Sequence, residues 1–234
     1  MSKLAIFSGT LFLLCATSAQ AAIYTIQPDE AASKDTFAYE FLHDTALEAG
    51  FNTILGVSNA STGHSLMSFI QFDLSSLSGV TASDITSAKL KLQSRTNSLG
   101  GGNPSASFPV TANVFAAAGD WTEATLNWDT RPVAGSLHAS AVVNSTSQLV
   151  EFDITNLVKG WLDGSVNNFG MRLEQDAEVV NGSGQRVGAT FVGASGTALS
   201  RPLLEINTVP EPSAIALVIV GSIALGVFRR RFAI

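Results

Sequence analysis

Alternation of apolar and polar residues is the main pattern between residues 24 and 206. In Ile70–Leu74 the apolar residues point to one side of a strand, and Gln71 and Asp73 point to the other. One-sided alternation of this kind is typical of antiparallel sheets with one solvent-facing surface. The same period recurs in Ala88–Leu92, Val150–Ile154 and Met171–Glu174, and further strands are predicted at Tyr24–Ile26, Thr36–Phe41, Val110–Phe115, Ala189–Val192 and Leu203–Ile206.

One segment departs from this period. Between Thr155 and Leu162 the apolar residues Leu157, Val158, Trp161 and Leu162 have helical spacing. Thr155 is predicted to cap the first-turn amides, and Gly164 to end the helix. With 20 Gly and 7 Pro, the rest of the chain is interrupted by turns about every ten residues, as in sandwiches and barrels. These patterns predict an all-β antiparallel fold, a sandwich or a barrel, with one short covering helix.

The first 21 residues have the three parts of a secretory signal peptide. Lys3 supplies the positive charge, Leu4–Ala16 is apolar, and Ala19-Gln20-Ala21 is a cleavage site for signal peptidase. The only cysteine, Cys15, lies inside this segment, so the mature chain is expected to have no thiol. That excludes disulfides, cysteine-ligated zinc and thiol catalysis.

The C-terminal segment, 208–234, combines a rigid spacer, a short apolar run and a basic cluster. The spacer is Pro210-Glu211-Pro212, the predicted transmembrane run is Ala214–Phe228, and the cluster is Arg229-Arg230-Arg231. The run reaches only about 22 Å as a helix, whereas the hydrocarbon core is about 30 Å thick. A transient anchor is therefore favoured over an ordinary single-pass anchor, with the arginines held in the cytoplasm.

This arrangement resembles the PEP-CTERM sorting signal of bacteria that make extracellular polysaccharide. The resemblance implies cleavage by an exosortase-type peptidase after transient anchoring in the inner membrane. The chain is then expected at the outer surface of the cell envelope or in the extracellular matrix.

The net charge of the predicted domain, residues 22–207, limits the classes of partner that it is expected to bind. Removing Lys3 and the three C-terminal arginines from the 13 basic residues leaves 9, and removing Glu211 from the 19 acidic residues leaves 18, a net charge near −9. Binding to nucleic acid or to anionic membrane surfaces depends on Lys and Arg neutralising phosphate. Neither partner is expected for this domain.

A set of motifs lies in a fixed order along the predicted domain. Its segments are Asp35–Phe37, Ser68–Ser75, Ile85–Leu92, Asp120–Trp128 followed by Arg131-Pro132, Phe152–Trp161, Asn168–Leu173 and Arg201–Ile206. This ordered set resembles the DNRLRE-type domain, which is related to carbohydrate-binding module family 96 and to disaggregatase-associated domains, although Ser68 stands where that pattern has a basic residue. The resemblance implies a jelly-roll-like antiparallel β-sandwich that binds surface or matrix polysaccharide.

Two kinds of side chain are candidates for sugar binding. Trp121 and Trp161 are interpreted as core residues with locally satisfied N–H groups, whereas Trp128 is also kept as a candidate ring for sugar stacking. Alternation places Lys89, Lys91 and Arg172 on solvent-facing sides. In one sheet they would form a basic stripe able to bind uronate carboxylates. The competing interpretation is a solvated face with ion pairs to Glu151, Asp153 or Glu174.

The sequence contains no recognisable motif for catalysis or for binding a cofactor. His43, His64 and His138 are isolated and are interpreted as loop or strand-end residues. Asp120 and Glu123 are interpreted as residues that order the turn around Trp121, although a carboxylate pair could flank a glycosidic bond. No cofactor is predicted, and a structural Ca²⁺ is compatible with the oxygen-rich segments Asp163–Ser165 and Asn167–Asn168.

The function predicted from these patterns is non-catalytic association with extracellular polysaccharide. Two alternatives stay open: a structural, self-associating or adhesin-type matrix protein, and a weak polysaccharide-processing enzyme.

Overall fold

The computed structural model describes residues 21–28, 34–47, 54–97, 99 and 101–209. The chain divides into one unit spanning Ile23–Thr208 and another made of the two termini, Met1–Ala22 and Val209–Ile234. The predicted apolar segment of the signal peptide and the predicted spacer, membrane run and arginine cluster lie outside the described residues. Within the described part of the chain, no helix has the length and apolar character needed to cross a bilayer.

Strands of the Ile23–Thr208 unit form two antiparallel sheets and a small ribbon. The ribbon consists of β10 and β11. In chain order the strands are β1 (Ile23–Ile26), β2 (Lys34–Tyr39), β3 (Ile54–Val57), β4 (Leu66–Gln71), β5 (Ile85–Arg95), β6 (Val110–Ala117), β7 (Ala134–Val143), β8 (Leu149–Asp153), β9 (Met171–Gln175), β10 (Val179–Val180), β11 (Arg186–Val187), β12 (Ala189–Val192) and β13 (Leu203–Thr208).

The first sheet is organised around the long strand β5. Its residues 85–91 pair with β13 and its residues 94–95 with β12, whereas 89–93 also pair with β8. β1 extends this sheet beyond β13, and β3 extends it beyond β12. The second sheet has the order β2-β4-β9-β6-β7.

The main core lies where the two sheets face each other. Leu90 and Leu92 of the first sheet and Val114 and Leu173 of the second are fully buried in one cluster. Burial of this apolar area is the main favourable term in folding, at about 25 cal/mol per Å². The prediction of an antiparallel β-sandwich is confirmed, because the buried residues are the apolar members of the alternating segments.

Strand positions agree well where alternation is strong. Ala189–Val192 is predicted with its observed bounds, and the predicted segments in β5, β8, β9 and β13 fall on strands. The strand predicted at Thr36–Phe41 ends at Tyr39, because Glu40–Leu42 form a 3-10 helix. The strand predicted at Ile70–Leu74 is displaced, since β4 begins at Leu66 and ends at Gln71. β3, β7, β10 and β11 were not predicted.

A helix is present where the sequence predicts one. α1 spans Thr155–Asp163 and ends at Gly164, which has a left-handed φ of 76°. The predicted capping role of Thr155 is wrong. Ile154 occupies the cap position, and the carboxylate of Asp153 accepts hydrogen bonds from the Thr155 amide at 3.0 Å and hydroxyl at 2.6 Å. These bonds lower the pKa of Asp153.

A second apolar cluster covers the outer face of the second sheet. Trp121 and Leu126, in the segment between β6 and β7, pack there on Ala38 and Phe69. Met67 and Trp128 lie at the margin of this cluster. The outer face of this sheet is therefore partly buried, although its strands alternate.

Candidate functional site

Lys89 and Lys91 lie on the outer face of the first sheet, as alternation predicts. The Nζ atom of Lys89 is 2.8 Å from a carboxylate oxygen of Glu151. Lys91 Nζ is 2.9 Å from Glu205 and 3.4 Å from Glu151. The bond to Glu205 raises the pKa of Lys91, and the bond from Lys89 lowers the pKa of Glu151. The solvated face with ion pairs to Glu151 is thus the arrangement present.

Arg172 does not join these lysines. It lies on β9 in the second sheet and is only 7% exposed. The expectation of a solvent-facing Arg172 in a common basic stripe is wrong, because the segment around Trp121 covers this face. Its guanidinium donates to the carbonyl of Pro132 at 2.9 Å and forms an ion pair with Glu174. Burial lowers the pKa of Arg172.

Trp128 is half-buried and one face of its ring is occupied. The guanidinium carbon of Arg131 lies 3.7 Å from the centre of the indole ring. Arg131 also donates to the Trp128 carbonyl. Burial, and next the charge of Arg172, lower the pKa of Arg131. The structure therefore brings Trp128 near Arg172, with Arg131 stacked on the indole.

The other two tryptophans are buried, as predicted. Trp121 donates its indole N–H to the carbonyl of Phe169 at 2.8 Å. Trp161 packs in the main core, but its indole nitrogen has no hydrogen-bond partner in the described part of the chain. The expectation of a satisfied N–H therefore holds for Trp121 and fails for Trp161.

The acidic pair in the turn has structural partners. Asp120 accepts a hydrogen bond from the Trp121 amide at 2.9 Å and contacts Lys34 at 3.3 Å. A carboxylate oxygen of Glu123 accepts the amide N–H of Asp35 at 2.6 Å. Asp120 therefore orders the turn around Trp121 as predicted, whereas Glu123 joins this turn to β2.

The oxygen-rich segments considered for a structural Ca²⁺ form hydrogen bonds within the protein. Asp163 accepts the Ser165 amide at 2.9 Å, and Asn168 Oδ1 accepts the Gly170 amide at 3.1 Å. In the portion of the chain with described coordinates, no group of three or more His, Cys, Asp or Glu residues could hold a metal ion.

A cavity of about 340 Å³, called here the Tyr39 pocket, opens at one end of the strands. It lies where the end of β2, the start of β4, the segment after β5 and the β10–β11 ribbon meet. Its volume is in the usual range for small-molecule sites. The residues lining it are Tyr39, Ser58, His64, Leu66, Asn97, Leu99, Gly101, Gly184, Gln185, Arg186 and Gly188.

Aromatic rings border the pocket. The Tyr39 hydroxyl and Nδ1 of His64 are joined by a hydrogen bond of 2.7 Å. The Phe41 ring stacks on the His64 ring at 5.0 Å with an interplanar angle of 10°. Phe41 is 62% exposed, so its ring is open to a ligand. Flat rings beside amide and guanidinium groups are suited to a sugar, which has apolar faces and a rim of hydroxyls.

The charge of the pocket contrasts with the acidic protein around it. Its lining contains Arg186 and no Asp or Glu. The nearby carboxylate of Glu40 accepts the Ser65 amide at 3.0 Å. Arg186 contacts the hydroxyl of Thr62, and no carboxylate of the described residues forms an ion pair with it. The pocket can therefore receive a ligand with a negative charge.

Sequence reasoning did not identify this pocket. His64, interpreted as an isolated loop residue, is indeed in a loop, whereas His138 lies inside β7 rather than at its end. Tyr39, His64 and Arg186 are far apart in the chain, and no local motif joins them. Only the absence of acidic residues in Phe51–Leu66 and in Val179–Val192 is a visible signal in the sequence.

A family model described as carbohydrate-binding module family 96 matches residues 29–185. No curated protein matches the chain.

Proposed function

Because this chain belongs to carbohydrate-binding module family 96, we propose that it is an exported, non-catalytic protein that binds extracellular polysaccharide in the Tyr39 pocket. The observation that carries the proposal is the pocket's lining, in which Tyr39, His64 and Arg186 meet without any acidic side chain. The whole chain has a net charge of −6, so the cation Arg186 gives the pocket a charge of opposite sign to that of the protein.

Acidic sugars are the proposed ligands. A uronate carboxylate can accept two parallel hydrogen bonds from one guanidinium, and such charge-assisted pairs are stronger than neutral ones. Arg186 is a suitable donor because it lines the pocket and has no ion-pair partner among the described residues. Lys89, Lys91 and the Trp128 ring are weaker candidates, since carboxylates hold the lysines and Arg131 covers one indole face.

Binding to an array of acidic and neutral polysaccharides tests this proposal. The full chain is compared with Arg186→Gln, which removes the charge and keeps an amide. We expect the variant to bind uronate polymers at least tenfold more weakly, which corresponds to about 1.4 kcal/mol. Neutral glycans should be affected less.

The matched control is the double variant Lys89→Gln/Lys91→Gln on the first sheet. It should bind uronate polymers as the unmodified chain does. If the double variant loses binding while Arg186→Gln retains it, the pocket is the wrong site. Product sugars released on incubation would instead support the polysaccharide-processing enzyme.

Delivery of the domain is part of the proposal. Signal peptidase would cut after Ala21, and an exosortase-type peptidase would act near Pro210-Glu211-Pro212 after the apolar run and Arg229–Arg231 have held the chain in the inner membrane. The product would reside on the outer surface or in the matrix. We also propose that the strands have the jelly-roll connectivity that the family resemblance implies.

Intact mass of the protein purified from its own cells tests this processing. We expect a chain that begins at Ala22 and ends near Pro210, because the spacer and the short apolar run suit a transient anchor. A mass that includes Arg229–Arg231 would instead identify a lasting anchor, and an uncut N-terminus would contradict export.

A further inference from the structure

A second cavity, called here the His138 cavity, opens at the other end of the second sheet. The end of β6 and the start of β7 form one side of it, and the segment Val166–Phe169 after α1 forms the other. β2 begins level with this cavity and ends at Tyr39, so the two sites lie at opposite ends of the sheet. The volume of the cavity is about 270 Å³, which is just below the usual range for drug-sized ligands.

Two β-bulges of β7 supply residues to the wall of this cavity. At two places β7 has one residue more than β6, the strand with which it pairs. His138 is the extra residue at one of them, because the residues on either side of it pair with successive residues of β6. At the other, Gly135 and Ser136 stand opposite the single residue Ala116. All four residues line the cavity, and bulges are common beside functional sites, where they change the direction of a side chain.

The imidazole of His138 has hydrogen-bonding capacity that the protein does not use. Its Nε2 atom is buried without a partner among the described residues, and burial lowers the pKa of the ring, which is therefore neutral at pH 7. Nδ1 is not buried, and none of the described residues forms a hydrogen bond with it. Each nitrogen of a neutral imidazole is either a donor or an acceptor. Nδ1 can therefore form a hydrogen bond with a ligand.

The remaining lining of the cavity is uncharged in the part of the chain that the structure describes. Ala116–Ala118, Val166 and Phe169 supply apolar surface, whereas Ser136 and Asn167 supply a hydroxyl and an amide. A charged ligand would lose its hydration here without meeting an opposite charge, which is costly. The cavity therefore differs from the Tyr39 pocket and suits an uncharged ligand.

We infer that the His138 cavity binds an uncharged sugar unit that carries an acetyl group. The choice of a polysaccharide as ligand rests on the proposed function. The acetyl methyl group would pack on the alanines, while the acetyl oxygen and the sugar hydroxyls bond with His138, Ser136 and Asn167. An unsubstituted sugar would place hydroxyls against the alanines, where they lose their bonds to water and find no partner.

Binding of acetylated glucomannan, compared with the same polymer after alkaline removal of its acetyl groups, tests this inference. Both forms are uncharged, so they differ only in the acetyl groups. For the full chain in mild detergent, we expect the acetylated form to bind about fivefold more tightly, which is the scale of one hydrogen bond. Ser136→Phe fills the cavity from an exposed position and should remove this preference.

Val142→Phe is the matched control, because it adds a ring at an exposed position of the same strand outside the cavity. It should keep the preference for the acetylated form. His138→Phe keeps a ring of similar shape without its nitrogens and should reduce the preference several-fold, which provides a test that does not depend on the folding of Ser136→Phe. Circular dichroism of each variant shows whether it is folded.

Equal binding of the two polymer forms by the unmodified chain, or binding of neither, would overturn the inference. A preference that survives in both Ser136→Phe and His138→Phe would also overturn it. Uronate binding is measured on the same chains and should depend on Arg186 but not on Ser136. The proposed function of the Tyr39 pocket can therefore fail or stand independently of the His138 cavity.

Discussion

Trp121→Ala is expected to destabilise the protein by about 3–5 kcal/mol, the range for removing a large buried aromatic side chain. Trp121 is only 5% exposed, and its ring lies 5.7 Å from the Phe69 ring, centre to centre. The substitution also leaves the Phe169 carbonyl without its 2.8 Å hydrogen bond. The loss is large because Trp121 is the largest buried residue in the cluster that covers the second sheet.

Urea unfolding of the full chain followed by circular dichroism measures this effect. Trp128→Ala is the matched control, since Trp128 lies at the margin of the same cluster and is half-buried. It should cost clearly less than Trp121→Ala. Similar losses for the two variants would show that the cluster does not depend on the buried indole in the way described.

Asp35→Asn is expected to stabilise the protein above neutral pH. Burial raises the pKa of Asp35 to about 7 from 3.8, against the lowering effect of its hydrogen bond from the Ala194 amide, and Glu123 raises it further. The carboxylate is 4% exposed and accepts the Ala194 amide at 2.8 Å. Asparagine keeps a hydrogen-bond acceptor at this place and removes the buried charge.

The direction in which stability changes with pH follows from the numbers of protons that the folded and unfolded states bind. Between pH 4 and 7 the folded state holds a proton on Asp35 that the unfolded state has lost, so stability falls as pH rises through this window. A pKa change of about three units between the folded and unfolded states changes the free energy of unfolding by at most about 4 kcal/mol. We expect Asp35→Asn to gain about 1–3 kcal/mol at pH 8 and nothing below pH 4.

Thermal unfolding at pH 4, 6 and 8 measures this difference. Asp163→Asn is the control, because Asp163 is exposed and its hydrogen bonds with Ser165 lower its pKa. That variant should not become more stable as pH rises. An Asp35→Asn protein with the same pH profile as the unmodified chain would show that the buried carboxyl does not titrate in this window.

Most strands could be predicted because burial of one face of a strand makes apolar and polar residues alternate along the sequence. β5 and β8 show this well, since alternate side chains enter the core between the sheets. β7 could not be predicted, because it lacks this alternation. Most of its residues are exposed on both sides, so no alternation distinguishes them. The helical spacing of α1 could be predicted, but the acceptor of its first amide could not, because Asp153 belongs to the preceding strand.

By itself, the sequence determined the two-sheet class of fold, the family and the acidic balance, because these follow from residue order and composition. Only the tertiary structure decided which faces meet water and which residues meet each other. Alternation assigns Arg172 to one side of its strand, but the distant segment around Trp121 determines that this side is buried. Likewise, long-range pairing alone brings Tyr39, His64 and Arg186 to one pocket, since no local physical constraint relates them.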